Sequence, residues 1–171
     1  MHAGAALNGL VPHQGAMCLL ESVLRWDAEG IVCRAVSHLD PANPLRGEGR
    51  LGAVCGIEYG LQAAAAHGAL RERALGRGGP AARGWFAALR EAELLTDRLD
   101  QPAFGALDVS AALEAAGAGG MIYRFALHAE DGRPLLRGRA TIALPPGALP
   151  ADALPPGTLA GATTAAAPTP P

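Results

Sequence analysis

The stretch GRLGAVCGIEYGLQAAAAHGAL, residues 49–70, is almost entirely Gly, Ala and aliphatic side chains. Its length suits a helix, and Leu51, Val54, Cys55, Leu61 and Ala65 fall on one stripe at helical spacing. Ala and Gly fill the other faces, and a helix that is apolar all round is a buried one. One carboxylate, Glu58, stands in the middle of it, with an amide, Gln62, four residues on. A charge in such a helix costs free energy unless it is paired or put to use.

Working outward, AALNGL (residues 5–10) reads as one or two helical turns. MCLLESVLRWD and IVCRAVSH read as strands joined by DAEG, whose Asp and Gly suit a tight hairpin. HLDPANPLRGEGR is a loop with two prolines leading into the helix. Beyond the helix, GRGGPAARG is a loop by composition. Four strands follow in GWFAALREAELLTD, GALDVSAALEAA, GMIYRFALHAE and RPLLRGRATIAL, the last two joined through Asp131-Gly132, the strongest hairpin signal in the chain. Two strands, one apolar helix and four strands predict an α+β domain, an antiparallel sheet with its helix on one face. A long sheet wrapped around a single central helix is the hot-dog fold.

From about Leu144 the chain holds 8 of its 14 prolines and almost no charge, so residues 145–171 are expected to be a disordered Pro/Ala-rich tail and residues 1–144 one domain. The 171 residues suffice for one ordinary core. Fourteen basic residues, all Arg, face 16 acidic ones, and aromatics make up 4%, which argues against nucleic acid. No run approaches the ~20 apolar residues of a spanning helix, and the first ten residues lack a signal peptide's basic and apolar regions. A cytoplasmic protein with no membrane association is expected. Cys18, Cys33 and Cys55 have no CxxC spacing and read as reduced, buried thiols. Neither they nor the five histidines have metal spacing, so no metal or redox cofactor is expected.

At the N-terminus, LVPHQGAMCLLESVL resembles the opening signature of the FabZ/FabA-type 3-hydroxyacyl-(acyl carrier protein) dehydratases. In that family a Pro-His pair (here Pro12 and His13) precedes an apolar first strand that ends near an acidic residue (here Leu19, Leu20 and Glu21). Glu58 and Gln62 reproduce the Glu-x-x-x-Gln part of the family's helix. Over residues 6–144 the strand order agrees with the family's. The variant PHQGAMCLLESV…NPLR…CGIEYGLQA is most similar to the divergent dehydratase-like proteins of bacterial aryl-polyene pigment clusters.

The resemblance implies that Glu58 is catalytic. Loss of water from a 3-hydroxyacyl thioester needs a base for the α-proton and an acid for the departing hydroxyl, and a carboxyl in an apolar wall is suited to hold and give a proton. Gln62, one turn on, is placed to orient it. By alignment back from Glu58, Gly52 and Ala53 occupy the family's oxyanion-binding turn, where backbone N–H groups at the helix start would hold the thioester oxygen. The sequence departs from the family in one respect. The catalytic histidine belongs to a Gly-His-Phe-Pro loop before the helix, and Pro44 stands at that position.

Of the histidines present, His13 belongs to the Pro-His signature, with support of its loop as the plain alternative. His38 ends the second strand and is expected in water. His67 is about 13 Å beyond Glu58 along the helix, too far to cooperate. His128 reads as solvated and His2 as terminal. In the family, histidine and carboxylate come from different subunits. The expectation is therefore a dehydratase in which Glu58 works with His13 in a homodimer, or with a histidine of a dehydratase-like partner in a heterodimer. An acyl carrier protein would deliver the substrate, and phosphopantetheine would belong to that substrate. Arg71, Arg73, Arg77 and Arg83 are candidates to dock the carrier, against a plain role in complementing the helix C-terminus. A hot-dog thioesterase and a non-catalytic or half-site subunit are the rival readings.

Overall fold

A computed structural model describes residues 7, 9–11, 13–76, 84–117 and 119–145. Six strands, β1 (Ser22–Trp26), β2 (Gly30–Ala35), β3 (Trp85–Leu94), β4 (Leu107–Gly117), β5 (Gly120–His128) and β6 (Pro134–Ala143), surround one helix, α1 (Gly56–Ala74). They form a single antiparallel sheet in the order β1-β2-β4-β5-β6-β3, with β1 and β3 at its edges. The hairpins form where the sequence signals them. Asp27 Oδ1 accepts from the N–H groups of Glu29 and Gly30, and Gly132 turns the β5–β6 connection at φ +84°.

Alternation along the strands explains how the sheet wraps the helix. Ile31, Ala111, Phe125 and Gly138 are successive cross-strand partners on the inner face, as are Cys33, Val109, Leu127 and Leu136. In the first row the large Phe125 is flanked by small residues, and Gly60 of α1 lies directly above its ring, where a Cβ would overlap it. The small residues of α1 thus let the sheet close on the helix. On the outer face Glu114 of β4 pairs with Arg124 of β5 and Arg139 of β6.

Several expectations are corrected. The helix begins at Gly56, after a single 3-10 turn over Ala53–Cys55, and runs on to Ala74. Its buried face is Tyr59, Gly60, Ala63, Ala66, His67 and Leu70, whereas Val54 is exposed. The first strand starts only at Ser22, because the N–H of Leu19 and the carbonyl of Met17 bond to the Gln62 side chain and not to a neighbouring strand. Of AALNGL only residues 7, 9 and 10 are described, and there the chain makes a turn closed from the Leu10 N–H to the Leu7 carbonyl. The expected disordered tail lies, apart from its first residue, outside the described residues. Only Cys33 is a buried thiol, pushed up to about 12 by burial, while Cys18 is exposed and Cys55 half-buried.

Candidate active site

Glu58 lies in the first turn of α1. His13 sits in the segment ahead of β1, two residues before a 3-10 turn (Gly15–Met17) whose Met17 carbonyl is bonded to Gln62 of the helix. His13 Nε2 stands 3.3 Å from Glu58 Oε1 within one chain, with side-chain exposures of 33% and 27%. Both groups are therefore shielded yet reachable from solvent. The polar neighbours of Glu58 are the His13 imidazole and the Gln62 amide.

Gln62 provides that amide and does more than orient Glu58. Its Oε1 accepts from the Leu19 N–H at 3.0 Å, and its Nε2 donates to the Met17 carbonyl at 2.7 Å and to Glu58 Oε1 at 3.1 Å. A backbone N–H can only donate, so the amide's orientation is fixed by Leu19. Oε1 of Glu58 thus accepts from Gln62 and faces His13, which leaves Oε2 as the oxygen able to carry or receive a proton. The one-turn spacing that marks this pair in sequence brings the two side chains together.

The backbone before the helix differs from expectation at one donor. Gly52 is extended (φ −64°, ψ 151°), but the Ala53 N–H donates to the Asp97 carbonyl at 3.1 Å. The Leu99 N–H donates to the Leu51 carbonyl on the other side of Gly52. Ala53 is thereby committed to a short bridge with residues 97–99, and the Gly52 N–H takes no part in that pair of bonds.

The loop that replaces the family's histidine motif is locked in place. Pro44 is exposed on a turn. Arg46 donates to the carbonyls of Asp40 and His38 and to Asp100 Oδ2 at 2.8 Å, and Arg98 grips the same carboxylate from the other side. Asp100 is 2% exposed. The hydrogen bonds of Arg98 hold its carboxyl well below the usual carboxylate range.

The other histidines are placed clear of the pair. His38, expected in water, is fully buried, and neither ring nitrogen has a hydrogen-bond partner. Burial lowers its pKa, against weaker upward pulls from the Gly105 backbone and Asp100. His67 is buried at the far end of the helix between the Tyr123 hydroxyl and the Asp27 carbonyl, each at 2.9 Å. His128 is half-buried rather than solvated, and His2 lies outside the described residues. Of the arginines named as a carrier dock, Arg77 and Arg83 also lie outside them, and Arg73 donates to the Gly9 carbonyl. Among the described residues no three His, Cys, Asp or Glu side chains gather as a metal site, and no helix is long and apolar enough to cross a membrane.

The sequence pattern did not reveal a buried polar group beside the site. The Tyr59 hydroxyl lies 2.9 Å from both Ser37 Oγ and Asn43 Nδ2. A tyrosine within an apolar run reads as core, and nothing in the spacing announces its partners.

An antiparallel sheet wrapped around one helix, with a carboxylate in the helix's first turn, defines a hot-dog protein. The chain belongs to the ApeP-like family, described as ApeP dehydratase, whose model matches residues 5–152. It is thus a dehydratase-type enzyme, and the resemblance to the divergent dehydratase-like proteins of aryl-polyene clusters is borne out. Among solved structures it is similar to the dehydratase heterocomplex ApeI:P from Xenorhabdus doucetiae, with TM-score 0.71 and 19% identity over 84% of this chain and 93% of that one. S. sahachiroi AziG matches with TM-score 0.50 and 18% identity, over 74% and 91% of the two chains. The E. coli PaaI protein of the phenylacetic acid degradation operon matches with TM-score 0.51 and 13% identity, over 71% and 80%. At these identities the likenesses show the fold. No curated protein matches the sequence.

Proposed function

We propose that the protein removes water from a 3-hydroxyacyl thioester carried by an acyl carrier protein, in aryl-polyene or fatty-acid-like biosynthesis, with His13 and Glu58 as the reacting pair. The observation that carries this reading is their 3.3 Å approach in a chain of the dehydratase family. His13 takes the α-proton, the electrons of the C–H bond become the Cα=Cβ double bond, and the Cβ–O bond breaks as Glu58 Oε2 gives its proton to the leaving hydroxyl. Water and an enoyl thioester result. His13 is then protonated and Glu58 ionised, and loss of the proton from His13 with uptake of one at Glu58 Oε2 resets the pair. Backbone donors at the helix start, with Gly52 the better placed after the engagement of Ala53, would hold the thioester oxygen as negative charge develops there. This chemistry balances without a metal or redox group.

A second reading concerns assembly. Among the described residues β3 is an edge strand paired only with β6, and Trp85, Phe86, Leu94 and Leu95 are exposed along and just beyond it. An uncovered apolar edge of this kind favours a protein partner. The similar fold within a dehydratase heterocomplex makes a second dehydratase-like chain the natural one.

The test is the ultraviolet appearance of the conjugated enoyl thioester from a carrier-bound 3-hydroxyacyl substrate. It is run with the protein alone, with a dehydratase-like partner, and with Glu58→Gln in each setting. Activity that depends on Glu58 supports the pair. Release of free acid without an alkene would mean a thioesterase, and indifference to Glu58 in both settings would make this chain a scaffold.

A further inference from the structure

Tyr59 is fully buried, yet its hydroxyl is not idle. The Leu19 carbonyl can only accept, so the Ser37 hydroxyl, 2.6 Å away, directs its single proton there. In the 2.9 Å contact between Ser37 Oγ and Tyr59 Oη, Tyr59 is therefore the donor and Ser37 the acceptor. Asn43 Nδ2 donates in turn to Tyr59 Oη and to the Ser37 carbonyl, each at 2.9 Å. The amide's orientation is settled because its Oδ1 accepts from the Leu45 N–H. The bonds thus run in one direction, from Asn43 through Tyr59 and Ser37 to the Leu19 carbonyl.

Leu19 is also the residue whose N–H is held by Gln62, the partner of Glu58. Its amide N–H and its carbonyl are consequently fixed from two different elements. Leu19 ends the short segment that begins at His13, and that segment is tied to itself by the Cys18 thiol, which donates to the His13 carbonyl at 3.2 Å. A shift at Leu19 would therefore be carried to His13.

We propose that Tyr59 is a positioning residue for the His13–Glu58 pair: by ordering Ser37, it sets residues 13–19 at the height along α1 where the imidazole meets the carboxylate. The proposal deepens the dehydratase reading and rests on it only for its kinetic consequence.

The experiment uses the full chain with Tyr59→Phe, Ser37→Ala and Ser37→Thr, each with and without Glu58→Gln. The first readout is the His13 ring resonance by NMR. In the wild type it moves when Glu58 becomes Gln. In Tyr59→Phe and Ser37→Ala that response is lost, and in Ser37→Thr, which keeps the hydroxyl, it returns. The second readout is kinetic, with kcat down about tenfold to a hundredfold in the first two variants and KM held within about twofold. If Tyr59→Phe does not fold, Ser37→Ala carries the same test. A folded variant lacking either hydroxyl, in which His13 still responds to Glu58→Gln as in the wild type, overturns the proposal. A wild type with no dehydratase activity defeats the functional reading, and the resonance then decides the positioning role by itself.

Discussion

His13 and Glu58 come from opposite sides of the first hairpin, and they meet at 3.3 Å because Gln62 holds the histidine's segment and the carboxylate with the same amide group. A pair made within one chain has a definite kinetic signature. Glu58→Gln and His13→Gln should each lower the rate of enoyl formation by about a hundredfold to ten-thousandfold. Groups that act as a unit are strongly non-additive, so the double variant should be about as slow as the slower single one. Multiplicative losses in the enoyl assay would show that the two act independently.

The fold was legible in the sequence because its signals are local. Period-two strands, Asp131-Gly132 and the small-residue helix each specify one element, and the six strands and single helix fall in the expected order. Glu58 and Gln62 were legible for the same reason, since one helical turn separates them. His38 was misread because nothing local shows what covers a strand's end. The Ser37–Tyr59–Asn43 set was missed because its members come from separate elements and meet only once the sheet has closed. The availability of the Ala53 N–H depends on residues 97–99, another contact that no local pattern encodes.

Stability should fall as the medium turns acidic, beginning near pH 6.5. His67 and His38 are buried, and burial lowers the folded-state pKa of both below the unfolded value of about 6.5. Above that value both states hold these rings neutral, and their contribution is constant. Below it the unfolded chain takes up protons that the native chain refuses, so unfolding becomes progressively easier down to the folded pKa values. Urea denaturation between pH 8 and pH 5 measures the slope. His38→Leu, which removes two unpartnered ring nitrogens, should flatten it at little cost at pH 8. An unchanged slope in that variant would place the sensitivity elsewhere.

Gly60→Ala should destabilise the protein even though Ala is the better helix former. A Cβ at Gly60 would overlap the Phe125 ring, and that ring cannot retreat across the sheet, where a Cβ at its neighbour Gly138 would already come within 2.7 Å of it. Overpacking of this kind costs about 1–3 kcal/mol, more than the up to ~1 kcal/mol gained in helix propensity. Phe125→Leu in the Gly60→Ala background should recover part of the loss. A Gly60→Ala variant with an unchanged denaturation midpoint would contradict this packing.

The β3 edge supplies the last prediction. Trp85 is 59% and Phe86 50% exposed, at the end of the strand that pairs with Ala143 and Ile142 of β6 and, among the described residues, has no neighbour on its other side. Glu91, further along, adopts a left-handed conformation (φ 53°) where the β3–β6 register shifts. If a dehydratase-like partner covers this edge, Trp85→Glu with Phe86→Lys should abolish co-purification by charging the centre of the contact. The chain itself should stay folded, because both side chains already face water in the lone protein. Arg73→Glu, on the exposed end of α1, serves as the control and should leave the complex intact. Co-purification that survives the β3 changes and fails with Arg73→Glu would move the interface from the sheet edge to the helix's C-terminal end.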